Sequence, residues 1–208
     1  MGASESRDLA LETLIAPHRL YSRSEALSKP SPIPAVSGIY AWYFSEISRV
    51  TPIEGCIASG DKILLYVGIS PDKAGKPNST QDLRKRITYH YRGNAEGSTL
   101  RRTLGTLLAP RSGFPLRRVG SGKRMTLTHA GEKWLDSWMD QNAFVCWMPH
   151  SSPWQVEKEL IGNISLPLNI RGNESHNFVA ELKALRREAI RQARELPVAD
   201  EISTARSD

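Results

Sequence analysis

Cysteine is scarce in this sequence, and long apolar runs are missing from it. The 208-residue chain contains two cysteines, Cys56 and Cys146. Two cysteines can build neither a disulfide scaffold nor a cysteine-rich metal site, so a reducing cytoplasm fits best. No segment approaches the roughly 18 consecutive apolar residues that a membrane span needs, and residues 1–14 lack the apolar core of a signal peptide. We therefore expect a cytoplasmic protein with no membrane partner.

Acidic residues are almost missing from one long stretch of the chain. Between Arg84 and Arg124 there are eleven Lys or Arg residues and a single acid, Glu96, which gives that stretch a net charge of +10. The whole chain carries +6. A concentrated patch of one sign, interleaved with Gly and Ser, is typical of proteins that bind a phosphate backbone. The charge pattern favours a nucleic-acid partner, and an acidic protein partner is the alternative.

Apolar periodicity predicts a small sheet flanked by helices. Residues 38–44 and 62–70 are apolar runs of strand length separated by a loop with Gly and Pro, so they are expected to pair as an antiparallel hairpin. Residues 143–148 form a third such run, and residues 123–128 alternate as a strand would. Helices are predicted over residues 5–15, 81–91, 98–108, 129–138, 153–163 and 177–195. The predicted class is α/β (α+β), with a small mixed central sheet of about three to four strands flanked by helices.

Residues with short polar side chains mark the expected helix starts. Ser79 or Thr80 is expected to cap the second helix, Ser98 the third and Thr128 the fourth. Residues 109–124, rich in Pro, Gly and Arg, are predicted to form a loop.

Several residues with catalytic side chains occur in a defined order along these elements. They are Gly38-Ile39-Tyr40, Tyr66-Val67-Gly68, Arg86 with His90, Glu157 before Leu160-Ile161, and Asn169 after Pro167-Leu168. Arg86 and His90 are four residues apart, so they lie on one face of their helix. Each residue alone has an ordinary structural explanation, but the order and spacing together are specific.

In this order the five elements resemble the GIY-YIG nuclease family, with Tyr-Val-Gly standing for the second tripeptide of the name. The resemblance covers about residues 37–170. It implies a catalytic domain over residues 37–170 with a basic insertion at 92–138. An N-terminal helix and Pro-rich lead-in (1–36) would precede that domain, and a C-terminal helix and polar tail (171–208) would follow it.

The resemblance implies a role for each matching position in the first half of the domain. Tyr40 and Tyr66 would line the active site, and Arg86 would hold the scissile phosphate. His90 matches a position that carries His or Tyr in relatives. Arg84 is the rival for the role of Arg86, but the residue four positions later is then a threonine, a weaker match.

The second half of the domain would supply the metal site. Glu157 would bind a divalent metal, Mg²⁺ or Mn²⁺, and Asn169 would close the site. Glu159 is the rival for Glu157, but only Glu157 has the Glu-x-x-Leu-Ile context. Some relatives carry a lysine directly after the second glycine, where this chain has Ile69. Two residues of the following loop could take its place, Lys73 or Lys76.

These residue types fit the hydrolysis of a phosphodiester bond. The reaction needs an in-line water, charge neutralisation on the phosphoryl oxygens and help for the leaving alkoxide. A single carboxylate leaves most coordination positions of Mg²⁺ to water and phosphate oxygens, as that ion prefers, and Arg86 can hold a phosphate with its fork of donors. We expect Tyr40 to accept a proton from the attacking water, with His90 relaying the proton or assisting its transfer. The alternative is that His90 is itself the base.

Basic residues outside this set are candidates for contacts with the nucleic-acid backbone. Arg101 and Arg102 lie near a predicted helix N-terminus, where free backbone N–H groups also bind phosphate. The residues predicted to bind nucleic acid are Arg84, Arg101, Arg102, Arg117, Arg118, Lys123 and Arg124. The last four of these are expected to make distal contacts.

The sequence thus predicts a divalent-metal-dependent endonuclease that hydrolyses phosphodiester bonds in DNA. One alternative is a catalytically weak or inactive nucleic-acid-binding module on the same scaffold, and another is a protein that binds an acidic protein partner. Charge alone does not distinguish DNA from RNA. The apolar face of the terminal helix, which includes Phe178, Leu182, Leu185 and Ile190, is expected to brace the domain or to form a homodimer surface.

Overall fold

The computed structural model describes residues 3–71 and 79–199, which form seven helices and six strands. The elements are α1 (Ala3–Ile15), α2 (Arg23–Ala26), β1 (Gly38–Phe44), β2 (Ala58–Ser59), β3 (Lys62–Ser70), α3 (Leu83–Arg92), α4 (Thr99–Ser112), β4 (Arg117–Val119), β5 (Arg124–Thr126), α5 (His129–Asn142), β6 (Ala143–Pro149), α6 (Pro153–Asn163) and α7 (Phe178–Glu195). None of the helices within these ranges is long and apolar enough to cross a membrane.

The main sheet has four strands in the order β2-β3-β1-β6. β1 pairs antiparallel with β3, with Gly38 opposite Ser70, and antiparallel with β6, with Gly38 opposite Pro149. All seven residues of β1 are buried, because strands lie on both sides and helices on both faces. A strand buried on both faces is apolar throughout rather than alternating, which explains its Gly-Ile-Tyr-Ala-Trp-Tyr-Phe sequence. The predicted class and the predicted hairpin between 38–44 and 62–70 are confirmed.

Two apolar cores cover the two faces of the sheet. Tyr40, Trp42 and Phe44 of β1 face the first core, to which α3, α4, α5 and α7 contribute. The alternate residues of β1 face the second core, which α1 and α6 cover. The apolar face of α7 packs into the first core, as expected for a brace, and so it is covered within the chain itself. The predicted basic insertion, residues 92–138, likewise supplies core side chains from α4 and α5.

Some predicted boundaries are confirmed and others are wrong. Ser98 and Thr128 cap α4 and α5 by accepting backbone N–H groups, as predicted. Neither Ser79 nor Thr80 caps α3, since the carboxylate of Asp82 accepts the backbone N–H of Lys85 at 2.8 Å. The predicted loop over 109–124 is wrong in its extent. α4 continues to Ser112, with Pro110 in its last turn, and β4 pairs with β5 as a short hairpin.

The position of Arg101 contradicts the prediction that it binds nucleic acid. Its side chain is fully buried, and its Nη2 lies 2.6 Å from a carboxylate oxygen of Glu132, while its Nη1 lies 2.7 Å from one of Asp136. Nη1 also lies within hydrogen-bonding distance of the backbone carbonyls of His90 and Tyr91. Arg101 therefore joins α4 and α5 to the last turn of α3 and does not face a substrate.

This buried ion-pair cluster yields a prediction about stability. Replacing Arg101 by Ala removes the cation that pairs with Glu132 and leaves Asp136 paired with Arg23 alone. Arg101→Ala is therefore expected to lower the free energy of unfolding by about 3 kcal/mol or more. The control is Arg111→Ala, because Arg111 pairs with Glu46 where both side chains are about half exposed, and such pairs contribute little. Urea denaturation of both variants measures the difference. Equal losses of stability would contradict the structural role of Arg101.

Candidate active site

A cleft of about 400 Å³ lies where β1 and β3 meet three helices and a loop. Its lining is Tyr40, Tyr66, Gly68, Ile69, Arg86, Thr99, Trp154, Glu157, Lys158, Ile161 and residues 169–172. Five of the six predicted catalytic residues are thus brought to one cleft from separate elements of the chain. The sixth, His90, lies directly behind Tyr40.

The two motif glycines are required because neighbouring atoms fill the space that a side chain would need. A Cβ at Gly68 would lie 2.5 Å from the hydroxyl oxygen of Tyr40, whose ring crosses the strand at that point. A Cβ at Gly38 would lie 2.4 Å from the backbone carbonyl oxygen of Met148 on β6. Both distances are too short for any carbon atom, so only glycine lets the Tyr40 ring lie against β3 and lets β1 approach β6.

A buried hydrogen-bonded chain extends from the cleft into the protein. The hydroxyl of Tyr40 lies 2.9 Å from Nε2 of His90, and Nδ1 of His90 lies 2.8 Å from Oγ of Ser98. Ser98 Oγ also accepts the backbone N–H of Arg101, as the cap of α4. His90 has no exposed surface, so it is hydrogen-bonded to the cleft through the Tyr40 hydroxyl, and its ring also lies edge-on to that of Tyr66. The sequence identified Ser98 as a cap but gave no signal of its contact with His90.

His90 is held in its neutral form. Burial lowers the pKa of its imidazole well below the usual value, and the positive charges of Arg86 and Arg101 lower it further. A neutral imidazole carries one N–H, so one ring nitrogen donates and the other accepts. Ser98 Oγ accepts the N–H of Arg101 and has one proton to donate, so it can donate to Nδ1 of the tautomer that carries its proton on Nε2.

Tyr66 and Arg86 form the part of the cleft next to Tyr40. Burial raises the pKa of the Tyr66 phenol well above its usual value and Tyr40 adds to the rise, while the charge of Arg86 opposes it. Tyr66 therefore remains a hydroxyl that can donate or accept a hydrogen bond. Arg86 donates to the backbone carbonyl of Gly97 at 3.4 Å, which orients the guanidinium along the cleft wall.

Glu157 is the acidic residue of the cleft lining. Burial raises the pKa of its carboxyl to about 7, and the charge of Arg171 opposes the rise. Among residues 3–71 and 79–199 no group of three or more His, Cys, Asp or Glu side chains could hold a metal. One partly desolvated carboxylate facing open cleft space still fits Mg²⁺, which keeps most of its ligands as water and substrate oxygens.

The two rival residues point away from the cleft. Glu159 lies on the far side of α6, where its carboxylate is 3.3 Å from Nε of Arg7 on α1. Arg84 donates from Nε to the backbone carbonyl of Ile33 at 2.7 Å, on the side of α3 that faces the lead-in. Geometry thus favours Glu157 and Arg86 over their rivals.

Asn169 lines the cleft but uses its amide to hold the backbone. Its Oδ1 accepts the N–H of Val67 and its Nδ2 donates to the carbonyl of the same residue, both at 2.9 Å. This pair of bonds continues the edge of β3 beyond β2 and fixes the loop that follows α6. Buried Asn173 supports the loop by donating to the carbonyls of Leu166 and Asn169, a contact that the sequence did not predict.

The remaining predicted basic residues have varied surroundings. Arg102 donates to the backbone carbonyls of Ala95 and Glu96, which shapes the loop before α4. Arg117 and Arg118 donate to the carbonyls of residues 197 and 196, so they also anchor the segment after α7. Two further residues are exposed on the short hairpin, Lys123 and Arg124. Lys73 and Lys76 lie outside the described residues, and Ile69 lines the cleft in the place of a lysine.

Comparison with known families agrees with this geometry. Residues 38–188 match the GIY-YIG catalytic domain family, a span that runs from the first residue of β1 into α7. The match covers most of the chain, so the protein belongs to the GIY-YIG family. No curated protein and no solved structure matches the chain. Membership of this family indicates a nuclease and hence a nucleic-acid substrate.

Because His90 is buried and neutral, we can predict how the free energy of unfolding depends on pH. In the unfolded chain the imidazole has a pKa near 6.5, whereas in the folded protein the pKa is lower. The unfolded state therefore gains a proton first as the pH falls, and stability is lost below about pH 6.5 with a slope of up to about 1.4 kcal/mol per pH unit. Urea denaturation between about pH 7.5 and about pH 5.5 should show a smaller loss for His90→Gln, and an identical loss would contradict the assignment.

Proposed function

We propose that this protein is a divalent-metal-dependent endonuclease that hydrolyses phosphodiester bonds in DNA. The observation that carries the proposal is the position of the Glu157 carboxylate in one cleft with Tyr40, Tyr66 and Arg86. A binding module would need the cations and the aromatic residues, but it would have no use for a half-buried carboxylate facing a phosphate. The predominantly positive surroundings support a polyanionic substrate.

Tyr40 is the group that accepts the proton of the attacking water. It lines the cleft, whereas His90 is enclosed behind it. Burial and two nearby arginines make a charged imidazolium unfavourable, so His90 is a poor final acceptor of that proton. With its proton on Nε2, His90 instead donates a hydrogen bond to the Tyr40 oxygen and stabilises the phenolate from which the base acts. Ser98 holds the required tautomer by donating to Nδ1.

Arg86 and Tyr66 act on the substrate phosphate. The guanidinium of Arg86 donates to non-bridging oxygens, and the hydroxyl of Tyr66 orients either a phosphate oxygen or the water. Glu157 would hold Mg²⁺ or Mn²⁺, which when bound neutralises charge on the phosphoryl oxygens and assists the leaving alkoxide. Asn169 keeps the loop beside Glu157 against β3.

Cleavage is expected to require both the metal and Glu157. Purified protein incubated with plasmid, branched and single-stranded DNA should cut at least one of them with Mg²⁺ or Mn²⁺ and none with EDTA. Glu157→Gln should lower the rate at least about a hundredfold, since its neutral amide binds a divalent cation weakly. Glu159→Gln is the matched control, two residues away and outside the cleft, and should cut at the wild-type rate.

Two results would contradict this proposal. Equal cutting by Glu157→Gln and wild type would remove Glu157 from the metal site. Salt-sensitive DNA binding without cleavage of any substrate would favour the catalytically inactive binding module. A parallel incubation with RNA determines whether the protein cleaves RNA as well as DNA.

The assignment of His90 as a donor predicts a specific pH profile. His90→Ala removes the hydrogen bond to the Tyr40 oxygen, so the rate at pH 7 should fall about tenfold or more and the acid limb of the pH–rate profile should move up by about one to two pH units. His90→Gln carries an N–H at a similar position and should restore part of both. If His90 were itself the base, Gln would restore nothing and the acid limb would disappear.

A further inference from the structure

Arg186 of α7 is a half-buried cation with no acidic partner among the residues that the structure describes. Its Nη1 donates to Oγ1 of buried Thr103 on α4 at 3.4 Å, a long bond to a neutral hydroxyl. Within residues 3–71 and 79–199 it forms no ion pair, unlike Arg101, Arg111 and Arg191. The apolar face of α7 packs on the first core, and this packing holds Arg186 in place beside α4.

Arg186 lies next to the candidate active site. Thr99 lines the cleft, and Thr103 follows it four residues later on the same face of α4, a rise of about 6 Å. Arg102 lies between them in sequence, three residues after Thr99, so its side chain leaves α4 near that face. The charge of Arg186 reaches the phenol of Tyr66, where it acts in the same direction as the charge of Arg86. Arg86 lines the cleft itself, while Arg102 on α4 and Arg186 on α7 lie behind the part of its wall that Thr99 forms.

This arrangement opposes the stability of the free protein. Burial lowers the pKa of the Arg186 guanidinium, and the like charge of Arg102 lowers it further. Neither arginine has a carboxylate partner within the described residues, and carbonyl and hydroxyl oxygens do not neutralise a cation. Half-buried like charges without a counterion are unfavourable on their own. An anion bound between them would remove both the repulsion and the desolvation penalty.

We propose that Arg186 and Arg102 bind a second backbone phosphate of the substrate strand, beside the phosphate held by Arg86. This inference rests on the proposed function, because it takes the cleft as the site of the scissile phosphate. Guanidinium groups match phosphate oxygens with paired donors. The position one helical turn along α4 from the cleft wall is where a neighbouring phosphate of a bound strand would lie. Arg186 is then a substrate-positioning residue.

The test measures binding without cleavage. In a Glu157→Gln background with EDTA, fluorescence anisotropy follows a short fluorescein-labelled single-stranded DNA over a series of salt concentrations. Arg186→Gln should weaken binding about tenfold and reduce the slope of log affinity against log salt by about one. The control is Arg187→Gln, the next residue on α7, which is exposed and should leave both values unchanged. Arg186→Lys should restore the slope.

A second probe identifies the group that Arg186 contacts. With an oligonucleotide of neutral methylphosphonate linkages, Arg186→Gln and its parent should bind equally, because no backbone charge is present. Urea denaturation should show that Arg186→Gln is at least as stable as its parent. A loss of stability together with unchanged affinity and unchanged salt slope would make Arg186 a packing residue and overturn the inference.

The outcomes also separate this inference from the proposed function. If wild type cuts DNA through Glu157 while Arg186→Gln binds as Arg187→Gln does, the nuclease assignment stands and the second phosphate site is overturned. If no DNA is cut but the Arg186 effects on affinity and salt slope are found, the phosphate site stands and the metal-dependent reaction is overturned.

Discussion

β1 lies between β3 and β6 with both of its faces covered, and this double confinement determines the geometry of the site. The strand can approach both neighbours only because Gly38 and Gly68 leave room for a carbonyl oxygen and for the Tyr40 ring. The ring of Tyr40 therefore lies across β3 at Gly68, and its hydroxyl is hydrogen-bonded to His90 behind it. The family's two tripeptides are thus required for packing as well as for chemistry, since the missing side chains of the glycines make room for Tyr40, the residue that we propose as the base.

The arginines of this protein follow two different electrostatic patterns. Arg101 is fully buried and balanced by two carboxylates, so its charge is matched within the fold. Arg186 and Arg102 are less buried and are bonded only to neutral oxygens within the described residues. The fold thus supplies carboxylates to the cation that joins helices, whereas Arg186 and Arg102 have no carboxylate partner among residues 3–71 and 79–199. Such a division is expected where stability is exchanged for binding.

Local sequence patterns predicted much of the fold and most of the residues that line the cleft. The strands over 38–44 and 62–70 and the helix over 153–163 have clear apolar signatures. The motif order favoured Glu157 and Arg86, which line the cleft, over Glu159 and Arg84, which do not. Contacts between distant residues were not predictable. Arg101 meets Glu132, 31 residues away, and Asn169 meets Val67, 102 residues away, and neither pair leaves a local pattern. β4 was missed because its three residues are too few for an alternation to be visible, whereas its partner β5 lies within the run 123–128 that was predicted as a strand.

The carboxylate of Glu132 has a mechanical consequence. One of its oxygens accepts from the backbone N–H of Ala95 and from the hydroxyl of Thr126, and the other accepts from Arg101. Glu132 on α5 thus holds three parts of the protein together: the loop before α4, the end of the exposed hairpin and α4 itself. Neither the hairpin nor the loop can shift without breaking bonds to Glu132. The one carboxylate of Glu132 therefore couples the position of the hairpin that carries Lys123 and Arg124 to the position of the loop beside the cleft.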